Sequence, residues 1–168
     1  MVRVAGYRGY IYISSNTVKL GHIGGNIMTK LVYFDMDGTI SDLYGVSNVF
    51  KRLDNLDANV YYEAKPIDKY INMLKEFHNM GYKVIILSCL GMISNKQFDE
   101  DTIYNKNIWL DKYVGKEFID ERIYIPNTKH KEQYIKEYGI LVDDDDRVLM
   151  NWNYDRIKAI NNNNKAIK

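Results

Sequence analysis

The run "KVIILS" (Lys83 to Ser88) constrains the fold more than any other stretch of the chain. Its apolar residues follow one another without a polar alternate, so a strand built from it must be covered on both faces, as in parallel sheets. Parallel strands need long crossovers, and the sequence supplies them. "KLVYF" (Lys30 to Phe34), "RIYIP" (Arg122 to Pro126), "ILV" (Ile140 to Val142) and "RIKAI" (Arg156 to Ile160) read as further short strands. Between them lie stretches with helical spacing. "PIDKYINMLKEFHNMGYK" carries Ile67, Ile71, Leu74 and His78 on one face, with Pro66 suited to the first turn and Gly81 to the position past the end. "FDEDTIYNKNIWLDKYVG" (Phe98 to Gly115) offers Ile103, Ile108, Trp109 and Tyr113 as inward positions, and "HKEQYIKEYG" reads as a helix closing on Gly139. Strands alternating with helices predict an α/β fold with a mainly parallel sheet.

Residues 1–27 read differently. "GYIYIS" and "TVKLGHI" alternate about the turn signal "SSN", a pattern consistent with a β-hairpin. A second reading stands beside it. "IGGNIM" can be encoded as ATA GGA GGT AAT ATT ATG, which places a ribosome-binding sequence ahead of a start codon, so that Met28 would be the initiator and residues 1–27 a translated leader. On either reading the segment is an N-terminal extension, and residues 28–168 form the domain that carries the function.

Composition removes several classes of function. The formal net charge is +1, without the basic excess by which nucleic-acid-binding proteins are known, so no stable nucleic-acid binding is expected. No run approaches the roughly 18 apolar residues that span a bilayer, so no membrane partner is expected either. Cys89 is the single cysteine, which rules out an intrachain disulfide and suits a reducing cytoplasm.

In a parallel α/β sheet, ligands bind beyond the carboxyl ends of the strands. The residues there are Asp35, Ser88, the segment after Pro126, and Asp143. Asp35 and Asp37 lie two residues apart, with Gly38 permitting a tight turn. One carboxylate can act as nucleophile or metal ligand while the other moves protons. The bland alternative is an ordinary turn rich in Asp and Gly. "VDDDDRV" poses a similar choice, because Asp143, Asp144, Asp145 and Asp146 repel one another unless something offsets the charge. A solvated loop, a helix cap and a cation site are all readings of it.

The string around "DMDGT" after an apolar strand resembles the first motif, D-x-D-G-T, of the haloacid dehalogenase (HAD) superfamily of phosphohydrolases. The later motifs follow in the expected order. Ser88 matches the Ser or Thr that ends the next core strand. Lys131, with Lys129 as alternate, matches the lysine ahead of the last motif; Lys131 is favoured because helical periodicity begins there. Asp143 and Asp144 match the terminal acidic pair. The resemblance covers about residues 28–161. "DGTISDLYGV", "EAKPI", "SNKQFDEDTIYNKNIWL" and the surroundings of Trp152 are similar to the C-type 5'(3')-deoxyribonucleotidase branch and its phage and bacterial relatives.

The resemblance implies a three-layer α/β/α Rossmann-like core with a small helical cap inserted at about residues 41–65. It also implies a Mg²⁺-dependent phosphomonoester hydrolase working through an aspartyl-phosphate. Asp35 would be the nucleophile and Asp37 the general acid and base. Ser88 and Lys131 would bind the phosphate. Mg²⁺ would be held by Asp35, the Asp37 backbone carbonyl and Asp143, with Asp144 in support. The implied substrate is a small phosphorylated metabolite, foremost a nucleoside monophosphate, with Asp42, Tyr44, Tyr61 or Tyr62 of the cap near the base or packing the cap on the core. The alternatives are a sugar phosphate, a nucleic-acid 3' end, and a catalytically silent phosphate- or partner-binding module. The intact set of Asp35, Asp37, Ser88, Lys131 and Asp143 argues against silence.

The other features read as structural. Cys89 suits a small buried residue at a strand end, since no cysteine-nucleophile signature surrounds it. His22, His78 and His130 lack ligand-type spacing and read as surface or helix residues. Trp109 and Trp152 suit core anchors. Of the last two aspartates in the acidic run, Asp146 is favoured over Asp145 as the cap of a short helix that follows.

Overall fold

The computed structural model describes residues 11–14, 17–20, 30–93 and 95–161. The chain opens with β1 (Ile11–Ser14) and β2 (Thr17–Leu20), which pair antiparallel with Ile11 opposite Leu20. The other residues of 1–27 lie outside the described residues. Then follow β3 (Leu31–Phe34), β4 (Ser41–Asp42), a 3₁₀ turn (Leu43–Gly45), α1 (Val49–Asp54), α2 (Asn59–Glu63), β5 (Lys65–Pro66), α3 (Asp68–Asn79), β6 (Lys83–Cys89) and α4 (Lys96–Tyr113). The last part comprises β7 (Glu121–Ile125), β8 (Ile140–Asp143), α5 (Asp146–Asn151) and β9 (Arg156–Lys158).

All five expected core strands form, and they join in one parallel sheet in the order β7-β6-β3-β8-β9. The chain builds outward from β3 through β6 to β7, then returns to the other side of β3 with β8. That reversal leaves a crevice at the carboxyl ends of β3 and β8, where α/β sheets of this type bind ligands. Asp35 follows β3, and Asp143 ends β8.

The strands alternate side chains between two cores because successive residues point to opposite faces. Val32, Phe34, Val84, Ile86 and Val142 meet α3 and α4 through Leu74, Phe77, Trp109 and Leu110. Leu31, Tyr33, Ile85, Leu87 and Leu141 meet α5 through Val148, Leu149 and Trp152. Helices therefore cover both faces, which explains why the central strands β3, β6 and β8 carry continuous apolar runs, while the edge strands β7 and β9 also hold Arg122, Arg156 and Lys158. Both tryptophans are core anchors as expected, each held by a hydrogen bond: Trp109 Nε1 to Ala64 O at 2.6 Å and Trp152 Nε1 to Gly139 O at 3.1 Å. Among the described residues no helix is long and apolar enough to cross a membrane.

Residues between β3 and α3 form a small satellite. β4 and β5 pair antiparallel at its base, and α1 and α2 pack around Leu43, Val49, Val60 and Tyr61 with Phe98 of α4. Arg52 of α1 staples it, donating to Asp57 at 2.7 Å and in a two-pronged pair to Glu63 at 2.7 and 2.8 Å.

Several local expectations need correction. Pro66 belongs to β5, opposite Ser41, and α3 starts only at Asp68; Gly81, at φ +79°, does follow the helix end. The buried stripe of α4 is Phe98, Thr102, Lys106, Trp109 and Leu110, while Ile103 and Ile108 are half-buried. "HKEQYIKEYG" forms a single 3₁₀ turn (Lys131–Tyr134), which ends at an extended Ile135, and residues 136–139 form no helix. Its Tyr134, Lys136, Glu137 and Tyr138 are exposed, so it has no apolar face wide enough to hold a longer helix against the core.

Candidate active site

Asp35 lies just past β3, and its backbone N–H donates to Val142 O at 2.9 Å, extending the ladder with β8 by one residue. The chain then turns sharply. Gly38 adopts φ +88° and donates to Ser41 O at 2.7 Å, and the N–H groups of Thr39, Ile40 and Ser41 all point at Met36 O. This turn needs glycine for more than its dihedral angle. A Cβ at position 38 would lie 2.7 Å from Asp144 Oδ2 and 2.7 Å from Tyr44 Cε2. The two halves of the site close over that missing side chain.

The carboxylates of Asp35, Asp143 and Asp144 converge, with one oxygen from each lying within 4.8 Å of the others. Asp35 and Asp143 are almost fully buried. Such a cluster would be strongly unfavourable alone, since like charges at 4 Å repel by about 1 kcal/mol in water and several times more in a partly buried site. Lys131 offsets this. Its buried ammonium donates to Asp35 Oδ1 at 2.6 Å, to Asp143 Oδ2 at 2.8 Å and to Leu87 O at 3.2 Å. Burial by itself would lower the Lys131 pKa, but Asp143 and Asp35 hold it well above its ordinary value. Lys129, the alternate, is exposed.

Burial pushes the Asp143 carboxyl up against the pull of Lys131, and the Asp35 charge adds to the rise. Asp144 is pushed up to about 8, by burial first and then by Asp35 and Asp143, although Thr39 Oγ1 donates to its Oδ1 at 3.2 Å. Both shifts express the same fact: the protein brings together more negative charge than Lys131 neutralises. Three hard oxygen donors from separate carboxylates, in a pocket short of positive charge, fit Mg²⁺.

Asp37 is held apart from this cluster by a residue that the motifs do not include. Lys106 of α4, 0% exposed, donates to Asp37 Oδ2 at 2.6 Å, Ser88 Oγ at 2.8 Å and Cys89 O at 2.8 Å. Burial raises the Asp37 pKa, and Lys106 only partly counters it. A signal for Lys106 was present in the sequence. Phe98, Thr102, Lys106 and Leu110 recur every fourth residue, so the lysine stands in the middle of a helix stripe that must face inward.

The remaining expected residues divide. Ser88 is buried at the end of β6 beside Lys106. The Tyr44 ring stands against Gly38, and burial and the nearby Asp144 raise its hydroxyl. Tyr44 also stacks with Phe50 at 6.2 Å. Asp42 instead accepts from Asn161 Nδ2 at 2.9 Å, and it lines a cavity of about 330 Å³ with Gly45, Val46, Ser47, Glu63 and Lys65. Of the two cap tyrosines, Tyr61 is buried over Lys106, whereas Tyr62 is exposed. Cys89 is half-buried, with its thiol pKa raised by burial. The cap of α5 is Asp145, not Asp146. Asp145 accepts from Arg147 N at 2.8 Å, while Asp146 is the first helical residue and pairs with Lys158 at 2.9 Å. The reason is geometric: the Asp145 N–H is drawn onto Asp143 Oδ1 at 2.8 Å, which starts the helix one residue early.

No protein-family model matches the chain. It is 28% identical over 93 residues to the D-glycero-beta-D-manno-heptose-1,7-bisphosphate 7-phosphatase of Haemophilus influenzae, a match covering 55% of this chain and 45% of that protein. The chain thus spans about half the length of this curated relative. Among solved structures it superposes on a chain of the Pnkp1/Rnl/Hen1 complex with a TM-score of 0.59 at 20% identity, over 79% of this chain and 45% of that one. A structure described as a dehalogenase gives a TM-score of 0.49 at 11% identity, over 79% of this chain and 85% of that one.

Proposed function

We infer that this chain belongs to the HAD superfamily and is a phosphatase that hydrolyses small phosphomonoesters through an aspartyl-phosphate. The observation that carries the reading is the buried Lys131, bonded at once to Asp35 and Asp143 beside Asp144. A structural lysine gains little from such a position, because a buried ion pair returns little net stability. A site for a phosphate dianion needs a fixed cation beside its nucleophile.

In this reading Asp35 attacks phosphorus. A bond forms between the carboxylate oxygen and phosphorus as the ester bond to the leaving oxygen breaks, and Asp37 gives that oxygen its proton. Water then attacks the aspartyl-phosphate, Asp37 takes its proton, and inorganic phosphate leaves with Asp35 restored. Asp37 suits both steps, because burial raises its affinity for the proton while Lys106 limits the rise. Ser88 hydrogen-bonds a phosphate oxygen, and Lys131 neutralises charge next to Asp35. Mg²⁺, held by Asp35, the Asp37 carbonyl, Asp143 and Asp144, would supply Lewis-acid neutralisation of the phosphate oxygens.

The leaving group is proposed to be a nucleoside. Tyr44, stacked on Phe50 at the edge of the carboxylate cluster, offers an aromatic surface for a base. A sugar phosphate is the second reading, favoured by the relative whose name is that of a heptose bisphosphate phosphatase. The test is a panel of nucleoside monophosphates and sugar phosphates, assayed with Mg²⁺ beside an Asp35→Asn control. Turnover that depends on Mg²⁺ and disappears in the control is expected. Turnover that survives Asp35→Asn would reject the mechanism, and a silent wild type would reject the activity.

A further inference from the structure

We propose that Lys106 is a positioning residue that holds the Asp37 carboxylate in line with the Ser88 phosphate pocket, so that the leaving oxygen receives its proton. The inference builds on the phosphatase reading above. An ammonium has three N–H donors, and here all are committed, to Asp37 Oδ2, Ser88 Oγ and Cys89 O at 2.6–2.8 Å. The group therefore has one orientation. Tyr61 of α2 closes the remaining side, with its ring centroid 4.6 Å from the nitrogen.

Stability does not explain the residue. Bringing an ammonium out of water is costly, pairing recovers that cost only in good geometry, and an apolar residue of similar volume often serves as well. The rest of the α4 stripe is uncharged: Phe98, Thr102, Trp109 and Leu110. What the ammonium adds is a fixed Asp37. Lys106 pins Oδ2 alone, and Asp37 Oδ1 is buried without a hydrogen-bond partner among the described residues. Pinning one oxygen sets the direction of the other, which is the oxygen left to exchange a proton with substrate. Because the same nitrogen also bonds Ser88 at the end of β6, the carboxyl is registered to the phosphate site and not merely held near it. None of this involves Lys131, whose bonds go to the nucleophile and the carboxylate cluster.

The experiment compares kcat/KM for an alkyl phosphate and for p-nitrophenyl phosphate in wild type and Lys106→Met, with Mg²⁺ present. The alkoxide must be protonated as it leaves, whereas nitrophenolate departs without a proton. Lys106→Met should lower kcat/KM on the alkyl ester by about 10²- to 10⁴-fold, the size of a general-acid contribution, and on the nitrophenyl ester by less than about tenfold. An equal loss on both esters, or no loss on either, overturns the inference while leaving the phosphatase reading intact. A wild type inactive on both overturns the phosphatase reading and the inference with it. If Lys106→Met lacks a cooperative unfolding transition, the comparison passes to Lys106→Gln, which keeps N–H donors and loses the charge. If neither variant folds, Lys106 is a structural residue and the inference falls.

Discussion

Lys131 Nζ lies 2.6 Å from Asp35 Oδ1, and this contact links residues 96 positions apart across the switch point of the sheet. The same nitrogen reaches Asp143 at 2.8 Å, so one cation spans the ends of both strands that frame the crevice. Removing it leaves two buried carboxylates facing each other. Lys131→Met is expected to lower the unfolding free energy by about 3–5 kcal/mol in metal-free buffer, the cost of breaking a buried pair. Urea titration with and without Mg²⁺ measures this, and the loss should shrink with Mg²⁺. A variant as stable as wild type in chelator would contradict the role of Lys131 as counter-charge.

The raised carboxyl of Asp144 makes stability depend on pH in an unusual direction. Between its ordinary 3.8 and about 8, the folded protein holds a proton that the unfolded chain has released. The native state therefore binds more protons, and this group's contribution to stability falls as pH rises through that window. Metal-free protein should melt lower near about pH 8 than near about pH 5.5, and Asp144→Asn should flatten the trend. Calorimetry in chelator reads it directly. Identical profiles for wild type and Asp144→Asn would mean that Asp144 carries no such shift.

Two glycines with similar dihedrals should respond differently to alanine. Gly38→Ala meets both the strain of φ +88° and atoms at 2.7 Å from Asp144 and Tyr44. It should cost about 1–3 kcal/mol and most of the activity, since the new methyl displaces a carboxylate of the cluster. Gly81→Ala has φ +79°, but its new Cβ meets nothing within 4 Å among the described residues. It should cost about 1 kcal/mol and leave kcat/KM unchanged. Equal catalytic loss in the two variants would show that crowding at position 38 is not what matters.

The proposal that residues 1–27 lie outside the functional domain predicts that a chain starting at Met28 keeps its melting temperature and its activity. Mass spectrometry of the natively expressed N-terminus tests the leader reading in parallel. An intact residue 1 in the natural host would exclude an initiator at Met28.

Much of this protein is written locally. The continuous apolar run "KVIILS" demands burial on both faces, and it joined the sheet with the four other short strands read from the sequence. The acidic residues of the site were also legible, because Asp35 and Asp143 end strands whose ends must converge in such a sheet. Local signals misled where the balance between neighbouring residues decides the outcome. "HKEQYIKEYG" has helical spacing but too narrow an apolar face, and the cap of α5 moved to Asp145 because Asp143 recruits its N–H.

What the sequence by itself determined is the class of fold and the set of carboxylates at the strand ends, since both follow from periodicity and strand termination within short windows. The motif order already favoured Lys131, but only the tertiary structure decided which carboxylates it meets and that Lys106 joins it at the site. Lys131 and Lys106 are two of many lysines on the chain, and nothing in their own neighbourhoods marks their partners. Asp35 is 96 residues from Lys131, and Asp37 is 69 from Lys106. Such pairs form only when β8 returns to β3 and α4 packs on β6, because burial makes an unpaired charge costly and the fold alone brings the opposite charge within reach.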